Sequence, residues 1–398
     1  MHTLSGKLGK AGLLRRAGCM AAMMWLALGC ARAELEPRTA VEVVVPAHFQ
    51  RIVDRLSSRF ADRPYERYSS EQVLRIAEAM LQHQNEDGGW PKNVDYLRVL
   101  PEEPRDPADR PGGRRSTLDN DATVGPLVYL AEVYRQTQDQ RIRNAVQRGL
   151  AWVLRQQHPV SGGWRGADAE AVTFNDDAMT MVLHLLLDVE RGDAAWAWLD
   201  EQVRADCAAA WRRGLACVLA CQVRVDGEKT AWGQQHSHTS LELVGARSYE
   251  LPGLTARESV GVVRLLMRID PPGPEVIASV ESAIRWFDRS RIRGYRMEDF
   301  LVKEGSATQA PHRDRRLVAD TTAPDLWARY YEPEGNRPFF ANRDGQKVYR
   351  YEQVLPERRA GYEWLGTWPA GLLATEYPAW AARHGRPNVL KPQTPRSP

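Results

Sequence analysis

Three times along this 398-residue chain a helix-forming stretch ends in glutamine and turns into tryptophan. The copies are Gln84-Asn85-Glu86-Asp87-Gly88-Gly89-Trp90, then Gln157 to Gly162-Gly163-Trp164, and more faintly Gln222 to Trp232. The tryptophans lie 74 and 68 residues apart, which leaves room for a pair of helices in each interval. The first stretch shows why helices are expected: Val73, Ile76, Ala77, Met80 and Leu81 share one face, behind Ser69 and Gln72 at capping-box spacing. Similar patterns run over about 121–136, 139–157, 176–190, 194–222, 258–269 and 274–289, while period-2 strand patterns are scarce. Repeated helical hairpins of this size predict a mainly α fold, an α/α toroid in the sense of a partly closed ring of hairpins. The Gly-Gly-Trp turns either present their indoles as stacking walls for sugars or plug their own helix pairs.

Beyond about residue 290 the periodicity gives way to a polar stretch punctuated by glycine and proline, read as long ordered loops over the helices. Residues 384–398 are proline-rich without a hydrophobic period, and disorder is expected there. At the other end, Lys7, Lys10, Arg15 and Arg16 precede an uncharged apolar run from Ala17 to Gly29 and then Ala31-Arg32-Ala33, the pattern of a cleavable signal peptide. The organisation expected is therefore a leader over 1–33, a single helical domain over 34–383 and a tail over 384–398. No stretch is apolar and long enough to suggest an integral membrane domain. A secreted or periplasmic monomer is the expectation; Arg15-Arg16 and Ala27-Leu28-Gly29-Cys30 leave twin-arginine export and lipoprotein anchoring as variants.

Removing the leader leaves 49 basic and 51 acidic residues, net −2. That excludes a globally basic surface and with it broad nucleic-acid binding, so a polyanionic ligand has to be held in a local basic cleft. Of the five cysteines, Cys207, Cys217 and Cys221 remain, and helical spacing with no histidine nearby reads as buried small residues rather than a zinc site.

Chemistry-bearing residues gather in two patterns. Asp119-Asn120-Asp121, Asn175-Asp176-Asp177 and the more distant Asp325 stand at loop-to-helix junctions, where single carboxylates are ordinary N-caps. The doubled acids offer more hard oxygens than a cap requires, which suits calcium. Arginines recur beside aromatics in Ala246-Arg247-Ser248-Tyr249-Glu250, Trp327-Ala328-Arg329-Tyr330-Tyr331-Glu332 and Asn342-Arg343-Asp344-Gly345. Guanidinium forks match carboxylates, so such blocks suit an acidic sugar polymer, although Glu250, Glu332 and Asp344 offer purely structural partners too.

Taken in order, Gln84 to Asn93, Leu118-Asp119-Asn120-Asp121-Ala122-Thr123, Thr173-Phe174-Asn175-Asp176-Asp177-Ala178-Met179, Gln235-His236, the Arg247 block, Glu258-Ser259, Leu326 to Arg329 and Arg358-Arg359-x-Gly361-Tyr362 resemble polysaccharide lyase family 10, the pectate lyases. The resemblance covers roughly residues 65–370. It implies an α/α toroid and a calcium-dependent enzyme that cleaves de-esterified polygalacturonate by β-elimination with an arginine as base. Carried over motif by motif, Arg247 is the base, Asp119 and Asp176 sit at calcium or bound uronate, and Arg329 and Arg343 hold substrate. Lys92, Asn120 and His236 are further substrate contacts, and Asp177 can exchange roles with Asp176. Arginine is ordinarily locked in its protonated form, so this role requires strongly cationic surroundings from Arg329, Arg343, Lys92 and calcium, and activity rising toward alkaline pH. The chain departs from the family at Arg165 and Val244, both where proline is usual.

Two other classes compete with that reading. An inverting glycoside hydrolase would use Asp119 and Asp176 as acid and base. A secreted pectin-binding protein would keep the arginines without turnover. Helical triterpene cyclases share the Gln-to-Gly-Gly-Trp turns, but this chain has no acidic initiating motif of their kind.

Overall fold

The repeated tryptophans turn out to be the fastenings of a two-layered helical array. The computed structural model describes residues 53–54, 57–99, 114–302 and 312–390; the leader at 1–33 lies outside them. Among the described residues seven helices have ten or more residues: α1 Val73–Gln82, α2 Val124–Thr137, α3 Gln140–Arg155, α4 Ala178–Arg191, α5 Glu201–Cys221, α6 Ala256–Met267 and α7 Pro274–Arg289. Each falls inside or within two residues of an expected stretch. Two edges differ for local reasons. Gln72 Oε1 accepts from Ser69 N–H at 2.8 Å, but the helix starts at Val73 and the Ser69 side chain caps nothing, so only half of the capping box exists. The segment before α5 forms a turn, and the helix begins after Asp200.

The even helices pack side by side in one layer, α2 on α4 and α4 on α6, and the odd helices do so in the other, α3 on α5 and α5 on α7. Composition explains the division. Helix α2 buries every residue from Val124 to Tyr134 except Val128, as a helix covered on all sides must. Helix α3 buries one stripe, Ile142, Ala145, Val146, Gly149, Leu150, Trp152 and Val153.

Trp90, Trp164 and Trp232 are wholly buried. Each indole Nε1 donates to a carbonyl of the helix before it: Met80 in α1 at 2.7 Å, Val153 in α3 at 2.9 Å, Val218 in α5 at 2.7 Å. Trp327 repeats the bond to Phe287 in α7 at 2.8 Å, a fourth copy. The indoles are therefore plugs, and the alternative of a stacking wall for sugars is ruled out for these four. The glutamines complete the unit. Gln84 Nε2 donates to Gly88 and Ala145, Gln157 Nε2 to Gly162 and Ala210, and Gln222 Nε2 to Thr230 and Ser279. One carboxamide thus ties each turn to the next odd helix, using both of its donors. Gly88 and Gly162 have positive φ, and a Cβ on either would lie 2.5 or 2.7 Å from the carbonyl oxygen of Arg148 or Arg213. Trp164→Ala should therefore cost about 3–5 kcal/mol in urea unfolding, as expected for an emptied aromatic site.

The region after residue 290 is not built of loops alone. Tyr295–Val302 and His312–Ala319 form a long antiparallel hairpin, with Tyr295 opposite Ala319 and Val302 opposite His312. Leu254–Thr255, Tyr330–Tyr331, Pro338–Ala341 and Lys347–Val348 make a four-stranded sheet, and Trp327–Ala328 pairs with Leu365–Gly366. Most of these strands are two residues long, too short to show a period. Asp325 lies at no helix start: it is buried against Arg291 at 2.8 Å. Of the tail expected over 384–398, residues 384–390 are described, where Val389 and Leu390 pack on the core and Val389 N–H donates to the Tyr377 hydroxyl; residues 391–398 lie outside the described ones. Cys207, Cys217 and Cys221 are buried free thiols in α5, and burial pushes Cys207 up to about 12. Among the described residues no helix is long and apolar enough to cross a membrane.

Candidate active site

Two junctions of the same unusual design lead into α2 and α4. In Asp119-Asn120-Asp121 the φ angles of Asn120 and Asp121 are 53° and 56°, and in Asn175-Asp176-Asp177 those of Asp176 and Asp177 are 49° and 59°. Two successive left-handed residues with side chains cost of order 1–2 kcal/mol each, least for Asn and Asp. No side chain caps either helix, so the N-cap reading of these acids fails. The two turns pack against each other, near enough for the charges of Asp119 and Asp176 to interact. Burial raises the Asp176 carboxyl, Arg257 and Arg329 pull it back, and the charge of Asp119 raises it again. Lys92 Nζ lies 2.7 Å from Asp119 Oδ2, and Arg257 Nη1 lies 3.5 Å from Asp176 Oδ1. Asn120 is exposed beside them. Asp177 points elsewhere: it accepts from Thr180 Oγ1 at 3.4 Å and packs so close to Gly261 of α6 that a Cβ there would sit 2.6 Å from its Oδ1.

A buried hydrogen-bonded chain joins this pair to Arg247. Asn175, next to Asp176, accepts through Oδ1 from Gln234 Nε2 at 3.0 Å and from Arg329 Nη2 at 3.0 Å. Arg329 Nη2 also donates to Glu258 Oε1 at 2.5 Å, and Gln234 Nε2 donates to the same oxygen at 2.9 Å. Gln234 Oε1 accepts from the Tyr330 hydroxyl, which lies 2.9 Å from that of Tyr362. Tyr362 donates to Glu250 Oε1 at 3.0 Å, and Glu250 holds Arg247 through Nε at 2.9 Å and through Nη2. Every polar group in this line but Arg247 is buried. Arg247 is 40% exposed at the end of it, with Asp168 at 3.9 Å. Guanidinium groups crowd the two tyrosine faces beside it: Arg358, Arg247 and Arg343 lie 4.6, 5.2 and 5.6 Å from the Tyr249 centroid, and Arg329 lies 4.5 Å from that of Tyr362.

Several sequence expectations change here. The bidentate pair with Glu250 raises the Arg247 guanidinium above its already high ordinary value, the opposite of cationic surroundings that would depress it. Lys92 is engaged with Asp119, not with Arg247. Arg329 is only 2% exposed and neutralises Glu258, whose carboxyl burial would raise but Arg329 and Arg257 hold below its usual range. It braces the site from beneath. His236 is wholly buried, accepts Gly233 N–H at Nε2 and lies 2.8 Å from the Leu241 carbonyl through Nδ1; burial pushes it down to about 4. With both nitrogens engaged, His236 braces a turn. Arg343 is accessible at the rim, paired with Glu357 at 3.0 Å. Arg257, Gln234, Tyr330 and Tyr362 were not singled out in sequence as carrying chemistry.

Asp119 and Asp176 also allow a test of the calcium expectation. Among the described residues no three His, Cys, Asp or Glu side chains gather as a metal centre. Two hard carboxylates, one of them raised by burial with a further contribution from the charge of the other, are chemically right for a divalent cation, and the uronate carboxylate and water would have to complete the shell.

A family profile described as pectic acid lyase matches residues 84–373, from the first Gln-to-Trp turn to beyond the Tyr362 segment. The chain belongs to the pectic acid lyase family. As a pectic acid lyase it is a polysaccharide lyase, and its mainly helical fold agrees with solved relatives. No curated protein sequence matches it significantly. The family 10 polysaccharide lyase from Cellvibrio cellulosa shares 27% identity over 87% of this chain and 99% of its own, with a TM-score of 0.66. An aspartate-to-alanine mutant of that enzyme in complex with trigalacturonic acid matches at 27% identity over 86% of this chain and 99% of its own, again with a TM-score of 0.66.

Proposed function

We propose that this pectic acid lyase cleaves de-esterified polygalacturonate by β-elimination, with Arg247 taking the C5 proton of a uronate whose carboxylate lies at the Asp119–Asp176 pair. The observation that carries this reading is the buried hydrogen-bonded chain from Asn175 to Glu250, which holds the acidic pair and the arginine on one rigid framework. Removal of the proton and rupture of the C4–O4 bond leave a reducing end on one fragment and a 4,5-unsaturated uronate on the other. Asp119 and Asp176, with Asn120 beside them, would hold calcium, which supplies positive charge that acidifies C5 through the uronate carboxylate. Glu250 aligns the Arg247 fork, Tyr362 aligns Glu250, and Arg343 offers an accessible cation for a further carboxylate. The related enzyme's complex with trigalacturonic acid supports an acidic oligosaccharide as the ligand. The same proposal includes an α/α toroid, each hairpin of which takes one helix from each layer, and export as a monomer into the periplasm or medium.

The raised Asp176 carboxyl is also what the acid of an inverting hydrolase would need. One assay separates the two. With polygalacturonate and calcium, absorbance at about 235 nm grows and stops on chelation, because elimination creates a conjugated uronate. Reducing ends without that absorbance would sink the lyase mechanism in favour of hydrolysis.

A further inference from the structure

We infer that the groove of about 700 Å³ lined by Lys92, Arg114, Arg115 and Arg165 is a distal subsite for the polyuronate chain, with Arg165 its distinguishing side chain. The inference rests on the proposed substrate class. Among the described residues, four cations and no carboxylate line this groove, in a chain whose basic and acidic residues nearly balance. Even with Lys92 and Arg165 paired to Asp119 and Glu170, Arg114 and Arg115 leave the lining with an excess of positive charge that attracts a polyanion. The groove is also large enough for more than a single sugar.

Its position makes it continuous with the reacting centre on two sides. Lys92 belongs to both, since its ammonium pairs with Asp119 while its side chain lines the groove, and Arg114 Nη1 reaches the Lys92 carbonyl at 3.5 Å. On the other side, the loop that carries Arg165 also carries Asp168, whose Oδ2 is 3.9 Å from Arg247 Nε. Arg165 at present pairs with Glu170 of the same loop, and both side chains are well exposed. An incoming uronate can replace Glu170 at little cost, because an exposed pair of this kind contributes no more than about 1 kcal/mol. Arginine at this position supplies a fork that matches a carboxylate.

The test is steady-state kinetics of wild type, Arg165→Glu and Arg115→Ala on polygalacturonate and on trigalacturonate, at low and high salt, with thermal melts to verify folding. Both positions are exposed, so the variants should fold as wild type does. The expected result is a KM for the polymer raised roughly tenfold in R165E and less in R115A, with a smaller change in kcat. The wild-type dependence of KM on salt should flatten in both variants. An active wild type with unchanged KM and salt dependence in both variants would overturn the subsite alone. A wild type that neither turns over nor binds polygalacturonate would overturn the substrate reading itself, and the subsite with it.

Discussion

Arg247→Lys should lower kcat on polygalacturonate by about 10²- to 10⁴-fold near neutral pH, the range expected when a positioned proton-transfer group is displaced. Lysine keeps a positive charge beside Glu250, whose side chain is wholly buried, so the fold should persist where alanine would strand a carboxylate. The pH profiles carry the decisive contrast. Glu250 raises the wild-type guanidinium, so its free-base fraction grows about tenfold per pH unit throughout the range in which the protein stays folded. Wild-type kcat should therefore climb without a plateau. Residual activity in R247K should instead level off at alkaline pH, above the ordinary lysine value of about 10.4 because Glu250 favours the charged ammonium too. A wild-type profile that flattens between pH 7 and 9 would assign the base to another group.

Arg329→Ala should destabilise the fold by about 3–5 kcal/mol at pH 8, since removing one partner of a buried ion pair leaves an uncompensated charge. Here the sign of the pH dependence is diagnostic. In wild type the Glu258 carboxyl lies below its usual range despite burial, so its stabilisation is present above the unfolded-state value and is lost as pH falls through the folded one. Without Arg329 burial dominates and the carboxyl rises above its usual range. The variant's penalty should then shrink as pH drops from 8 to 5, as Glu258 takes up a proton on folding. Urea unfolding at the two pH values measures this; a constant gap would mean that Arg329 contributes packing rather than charge.

How much of this was legible in the sequence depends on how local each signal is. The helices were legible because a buried stripe repeats every three or four residues, and the Gln-to-Trp unit because three copies stand close to the helices they fasten. The fourth copy was hidden, since 40 residues separate Trp327 from the Phe287 carbonyl it binds. The doubled acids stood out, yet nothing local says that Asp176 comes within electrostatic reach of Asp119 while Asp177 packs on Gly261. The polar chain beneath the site joins Asn175, Gln234, Glu250, Glu258, Arg329 and Tyr362, brought together from nearly 190 positions of sequence by tertiary packing alone. Burial and internal partners were equally hidden: Arg329 and His236 look like ligand groups by residue type, and the fold engages their polar atoms with Glu258, Asn175, Gly233 and Leu241.

The tandem left-handed junctions make chemistry and backbone demand the same small set of residues. At positions 120, 121, 176 and 177 asparagine, aspartate and glycine are the side chains that this conformation accepts at least cost. Saturation mutagenesis would thus find four intolerant positions, and Asp177 would register as essential through its backbone and its packing on Gly261. In this lyase the map of mutational sensitivity is wider than the map of catalysis, and the excess marks where the chain must turn.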